Sequence, residues 1–166
     1  MKHERVVAGT RETRYAGFNQ PIGRFAGEGM SDQPRQRYLA VKVVMMPRDT
    51  NPYGTIFGGV ILSYIDQAGA VGARHEVEIQ GFPPQSLVTV AMEGVEFHEP
   101  VFVGDTVSFW TDVRRIGETS ITMHVTVETE REGESQLLTQ ADVTYVAVEL
   151  RGHERRPVSI RGGNES

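Results

Sequence analysis

One long, nearly all-apolar helical segment set among strand-like segments predicts an α+β fold, a curved antiparallel sheet wrapped around a single central helix. Two observations carry this expectation. The stretch from about 57 to 75 places Val60, Ile61, Leu62, Ile65, Ala68, Val71 and Ala73 around most of a helix circumference, the pattern of a buried helix. Downstream, four segments alternate apolar and polar residues with period two and are separated by turn-forming residues. One helix and one sheet, each with an apolar face, bury those faces against each other in two layers.

Tyr38 to Met46 (Y-L-A-V-K-V-V-M-M) reads as the first strand. Asp49, Thr50, Asn51, Pro52 and Gly54 mark a loop, and Gly58-Gly59 open the helix. Residues 76–85 (E-V-E-I-Q-G-F-P-P-Q) read as a turn-rich connection. Strands are expected over 87–97, 105–116, 120–130 and 136–148, with turn chemistry at Gly104-Asp105, Gly117-Glu118-Thr119 and Glu132-Gly133-Glu134. The arrangement is known as a hotdog. Alone, such a domain leaves sheet edges and the outer helix surface uncovered, and a dimer with a continuous sheet covers both.

Residues 1–36 lack helical or strand periodicity and read as a flexible N-terminal extension or docking arm, with Met30 an alternative start. Residues 37–150 form the folded domain. The polar, Arg-rich residues 151–166 are expected to fray.

With 166 residues and 39% hydrophobic content, the chain can bury one substantial core. A net charge of −5 disfavours nucleic-acid binding as the main activity, which needs clustered Lys and Arg. Zero cysteines exclude disulfides, a Cys nucleophile and thiolate metal sites, and fit a reducing cytoplasmic location. No apolar run reaches the roughly 20 residues needed to span a bilayer, so no membrane insertion is expected. The start of the chain carries no apolar signal core.

Asp66 stands in the middle of the apolar helix pattern. A carboxylate buried there is costly unless paired or hydrogen-bonded, and such costs are tolerated where chemistry needs them. Read alone, Asp66 also fits a solvated strip shared with Ser63 and Gln67. Gly58 and Gly59 lack side chains, so a ligand can approach the first free helix amides closely; a tight helix entry explains them equally well. His75 reads as a cation closing the helix, His98 as part of a surface turn, and His124 as a strand residue without partners at metal-site spacing. No metal is expected, and Ser63 lacks the G-x-S-x-G context of a serine hydrolase.

The run from Met46 to Gly69 (M-P-R-D-T-N-P-Y-G-T-I-F-G-G-V-I-L-S-Y-I-D-Q-A-G) resembles the signature of hotdog acyl-CoA thioesterases, the branch containing bacterial YciA-type enzymes and animal cytosolic acyl-CoA hydrolases. The likeness continues in Val88 to Phe97, Val103-Gly104-Asp105, Gly117 to Ile121 and Val143 to Val148, covering roughly 38–150. It implies hydrolysis of an acyl-CoA substrate to a carboxylic acid and CoA, with no cofactor beyond the CoA of the substrate. Asp66 matches the carboxylate acting as general base or nucleophile. Asn51 matches an asparagine that reaches it across a subunit interface, and backbone amides at Gly58 and Gly59 would polarise the thioester carbonyl. The turn Gly117, Thr119 and Ser120 matches a CoA-contacting loop. Glu118 stands there where relatives place a base, with Arg114, Arg115 or Arg74 as compensating cations. Phe57, Ile61, Tyr64, Ile65, Met92 and Phe97 are the expected acyl-pocket residues. A homodimer, and a trimer of dimers as the larger assembly, follow from the same likeness. The alternative is a hotdog sensor that binds acyl-CoA without cleaving it.

Overall fold

The computed structural model describes residues 37–152 and 154–162; the expected N-terminal extension and the alternative start at Met30 lie outside them. Strand β1 (Tyr38–Val44) leads through a short 3-10 turn (Pro47–Asp49) to helix α1 (Gly58–Ile79). Strands β2 (Ser86–Phe97), β3 (Thr106–Ile116), β4 (Ser120–Arg131), β5 (Glu134–Arg151) and β6 (Glu154–Pro157) follow. Among the described residues the strands form one antiparallel sheet ordered β1-β3-β4-β5-β2, with β6 paired to β5.

The sheet wraps α1 because one face of each central strand is apolar. Val107 and Phe109 on β3, Ile121, Met123, Val125 and Val127 on β4, and Ala141, Val143, Tyr145 and Ala147 on β5 are buried. Ile61, Ile65, Ala68, Ala73 and Val77 of α1 meet them. Gly69 and Gly72 allow the close approach: a methyl on Gly69 would overlap the Tyr145 hydroxyl, and one on Gly72 the Thr111 side chain.

Three expectations are corrected. The helix runs past His75 to Ile79, because Val77 continues the buried stripe one turn beyond Ala73. Gly81, at φ +69°, ends it, with its N–H donating to the Glu78 carbonyl. The helix is also not buried all round. Val71 is 41% exposed, on the side of α1 that also exposes Ser63, Gln67, Arg74 and Glu78, and the edge strand β2 has no fully buried residue. Finally, residues 154–162 of the C-terminal segment pack against the sheet instead of standing off it. Arg151 pairs with Glu154 across a tight turn, Ile160 is fully buried, and its N–H donates to the Glu118 carbonyl.

Candidate functional site

The loop before α1 is built around Asn51. Its side-chain oxygen accepts the N–H groups of Tyr53 (2.9 Å) and Thr55 (3.3 Å), and its Nδ2 donates to Thr55 Oγ1 (2.8 Å). These bonds fold the Asn-Pro-Tyr-Gly turn, and the Ile56 N–H then ties the loop to the Val101 carbonyl. Nδ2 keeps a second N–H for a ligand.

Helix α1 begins without a side-chain cap and without an acidic residue in its first turn. The amides of Gly58 and Gly59 therefore stay available at the positive end of the helix dipole. Phe57 and Phe97 border this end: both are exposed, and the ring of Phe97 lies 3.5 Å from where a Gly58 side chain would start.

Asp66 lies eight residues further on, about 12 Å along the axis at 1.5 Å per residue. It is half-buried, at the open side of α1 facing β2. Thr89 on β2 donates its hydroxyl to Asp66 Oδ1 at 2.7 Å. From beneath, the Tyr145 hydroxyl donates to the Asp66 backbone carbonyl at 2.7 Å. Burial pushes the pKa of that phenol far above its ordinary 10.0, and the Asp66 carboxylate adds to the shift. Tyr145 is thus a fixed neutral donor pinning the helix at the turn that carries Asp66.

The expected site residues do not all converge within one chain. Phe57, Gly58, Gly59 and Phe97 share the start of the helix, whereas Asp66 is two turns away. Asn51 is bonded within its own loop. Ile61 and Ile65 face the core, with 1% and 0% exposure. Tyr64 packs on Phe109, with ring centroids 5.6 Å apart, and Met92 is half-buried on β2.

In the turn after β3, the Gly117 N–H donates to the Ser120 carbonyl (2.8 Å), and the Thr119 carbonyl accepts from Ala147 (2.8 Å). Arg114 is drawn to Asp142 (3.6 Å), which also holds His124 Nδ1 (2.6 Å), so its charge is already engaged. Arg74 belongs to α1 and does not follow it. His75 stacks on Tyr38, centroids 4.0 Å apart, instead of capping the helix, and His98 lies 3.5 Å from Glu96. Among the described residues no group of three His, Asp or Glu side chains is arranged to hold a metal ion.

Sequence reading assigned no role to Thr89. Its signal was its parity: within L-V-T-V it falls on the same strand face as Leu87, which turns toward the helix. Only the packing of β2 beside α1 converts that parity into a contact with Asp66.

A carboxylate fixed by a hydroxyl, uncapped helix amides and an asparagine-built loop are the components of acyl-transfer chemistry. The thioesterase superfamily model matches residues 53–136. The acyl-CoA thioester hydrolase YciA of Salmonella typhimurium is 35% identical over 136 residues, spanning 79% of this chain and 97% of that protein. An uncharacterized acyl-CoA thioester hydrolase of Zymomonas mobilis is 36% identical, spanning 76% and 80%. Among solved structures, a hexameric hotdog fold thioesterase of Campylobacter jejuni matches with 43% identity and a TM-score of 0.60, covering 73% of this chain and 90% of that one. The hexameric thioesterase of Yersinia pestis matches at 33% identity and TM-score 0.64, covering 75% and 97%.

Proposed function

The chain belongs to the acyl-CoA thioester hydrolases of the thioesterase superfamily, and from that membership we propose that Asp66 drives the hydrolysis in a site completed by a second copy. The observation carrying the reading is the Asp66–Thr89 pair at the open edge of the helix. Thr89 occupies one carboxylate oxygen. The other takes a proton from the attacking water, or attacks the thioester carbonyl itself. Negative charge then develops on the carbonyl oxygen, and the amides of Gly58 and Gly59 stabilise it.

Asp66 lies too far from the first turn of its own helix for both to touch one carbonyl group. A second copy packed antiparallel on α1 and on β2 resolves this, bringing its own helix start and Asn51 loop toward Asp66. The edge strand, the exposed Val71 and the exposed Phe97 support such a dimer. Assembly to a hexamer, as in the Campylobacter and Yersinia structures, extends the same reading.

The reaction so described uses no cofactor, since coenzyme A enters with the substrate and leaves as product. A cytoplasmic location belongs to this reading, supported by a CoA-linked substrate and a chain without cysteine. The turn Gly117, Thr119 and Ser120 is assigned to contacts with CoA. The acyl pocket is assigned to Phe57, Ile61, Tyr64, Ile65, Met92 and Phe97.

The test is free-thiol release from acyl-CoAs ranging from acetyl to stearoyl and including aromatic acyl groups. Wild type is expected to release thiol, and Asp66→Ala to lose about a hundredfold or more in kcat with an unchanged melting temperature. Retained activity in a folded Asp66→Ala protein would remove Asp66 from the chemistry. Binding of acyl-CoA by wild type without cleavage would instead establish the sensor alternative.

A further inference from the structure

Helix α1 starts without a side-chain cap, so groups outside its first turn must fix where the Gly58 and Gly59 amides point. Two backbone bonds bear on this. The Ile56 N–H donates to the Val101 carbonyl and the Phe57 N–H to the Asp49 carbonyl, each at 2.8 Å. The two peptide units preceding the Gly58 amide are thereby held, one by the segment between β2 and β3 and one by the 3-10 turn. Asp49 is tied in place by its own carboxylate, which accepts the Met46 N–H at 3.1 Å.

Val101 belongs to no strand or helix, and charged groups hold it from both sides. Its carbonyl shares one planar peptide unit with the Phe102 N–H, and in a trans peptide the two point in opposite directions. Asp105 Oδ2 accepts that N–H at 2.9 Å, so the carboxylate turns the carbonyl toward Ile56. On the preceding peptide unit, the Pro100 carbonyl accepts from Arg131 Nη2 at 2.8 Å. The same nitrogen pairs with Asp105 Oδ2, and the ion pair closes a ring around Val101. Gly104, at φ +90°, lets the chain turn so that Asp105 reaches back to Phe102.

The ring is shielded from water. Arg131 and Asp105 keep 22% and 15% of their side-chain surface exposed, and the Arg131 guanidinium lies 5.1 Å from the ring centroid of Phe102. Arg131 Nη1 also donates to Gln136 at 3.2 Å, which anchors the guanidinium to β5. A continuous path of bonds therefore runs from the end of β4, through Asp105, Val101 and Ile56, to the start of α1.

We propose that Arg131 and Asp105 are positioning residues for the hydrolysis: through Val101 and Ile56 they aim the Gly58 and Gly59 amides at the thioester carbonyl oxygen. The inference rests on the reading that these amides stabilise that oxygen, and it names the ion pair that keeps them in place.

The experiment uses Arg131→Met, Arg131→Lys and Asp105→Asn. Displacing stabilising donors costs part of what removing them costs, so Arg131→Met is expected to lower kcat for thiol release about tenfold, with KM within about twofold. A lysine ammonium can serve both Pro100 and Asp105, as Nη2 does, so Arg131→Lys should restore most of kcat. Asp105→Asn keeps the shape and loses the charge. It should lower kcat about threefold, and it decides the matter if Arg131→Met does not fold. Unchanged kcat in the folded variants, or a change in KM alone, would overturn the assignment.

Infrared difference spectra of a carbonyl-labelled acyl-CoA bound to Asp66→Ala protein read the amides directly, because a polarised carbonyl absorbs at lower frequency than in solution. Adding Arg131→Met is expected to remove about half of that shift or more. A purely structural ion pair would leave the shift intact in folded protein, and the inference would fall. No shift in Asp66→Ala itself would instead mean that the helix amides do not touch the carbonyl, so the reading beneath the inference fails.

Discussion

The bond from the Thr89 hydroxyl to Asp66 Oδ1 fixes the carboxylate, and in the proposed mechanism it leaves Oδ2 as the reactive oxygen. Hydrogen bonds to charged groups contribute roughly 1.5–3 kcal/mol, less where solvent competes, as it does beside an exposed Thr89. Thr89→Val is therefore expected to lower kcat for thiol release about tenfold with little change in KM, and Thr89→Ser to restore most of it. An unaffected kcat in Thr89→Val would reduce the contact to packing. Tyr145 acts below the same turn, and its raised pKa has a stability consequence with a definite sign. In the unfolded chain its phenol ionises near the ordinary 10.0; in the folded chain it stays neutral well above that. The contribution is fully present below about pH 10 and is lost as the pH rises toward the folded value. Above pH 10, wild-type stability should fall more steeply than that of Tyr145→Phe, by up to about 1.4 kcal/mol per pH unit. Denaturant titrations at successive alkaline pH values measure the two slopes, and parallel slopes would contradict the assignment.

Helix α1 sits low on the sheet because two glycines face it. A methyl at Gly69 meets essentially one group, the end of the Tyr145 ring and its hydroxyl, whereas a methyl at Gly72 meets Thr111 close to the backbone. Alanine gains about 1 kcal/mol of helix propensity over glycine but forces overpacking that costs typically 1–3 kcal/mol. Gly72→Ala should therefore be net destabilising by up to about 2 kcal/mol. Gly69→Ala should lose stability as a single variant and recover most of it combined with Tyr145→Phe, a non-additivity readable in denaturant unfolding. Strict additivity would mean the clash lies elsewhere. At this scale much was legible in the sequence. Period-two alternation marked β3 and β4 to within a residue of the observed ends, because their inward residues are apolar apart from Thr111 and Thr129. The end of α1 was less legible: Glu76 and Glu78 flank Val77 and hide its place in the buried stripe. In β5, Leu138 and Thr139 are both buried although consecutive, because a bulge opposite Val127 and Glu128 breaks the alternation.

For the whole molecule, the sequence placed Asp66, Gly58, Gly59 and Asn51 correctly on helix and loop, yet spacing along a chain does not say which copy of a residue meets which. In the proposed dimer that information lies in the exposed side of α1 and the edge position of β2, features of the folded surface that no local pattern encodes. The C-terminal hairpin was missed for a related reason: Glu154 to Pro157 is polar on both faces, and its pairing with β5 comes from the tight turn and from the burial of Ile160. A site divided between two copies makes a quantitative prediction. In an Asp66→Ala homodimer both sites lack the carboxylate, and in an Asn51→Ala homodimer both lack the amide. When the two inactive proteins are unfolded together and refolded, about half of the dimers are mixed, and each mixed dimer holds one site with both residues intact. About a quarter of the wild-type thiol-release rate should therefore return, set by random pairing of equal amounts. If Asp66 and Asn51 of one chain served the same site, every site would still lack one residue and no activity would return. Mixing without unfolding serves as the control, since activity should then reappear only as fast as subunits exchange.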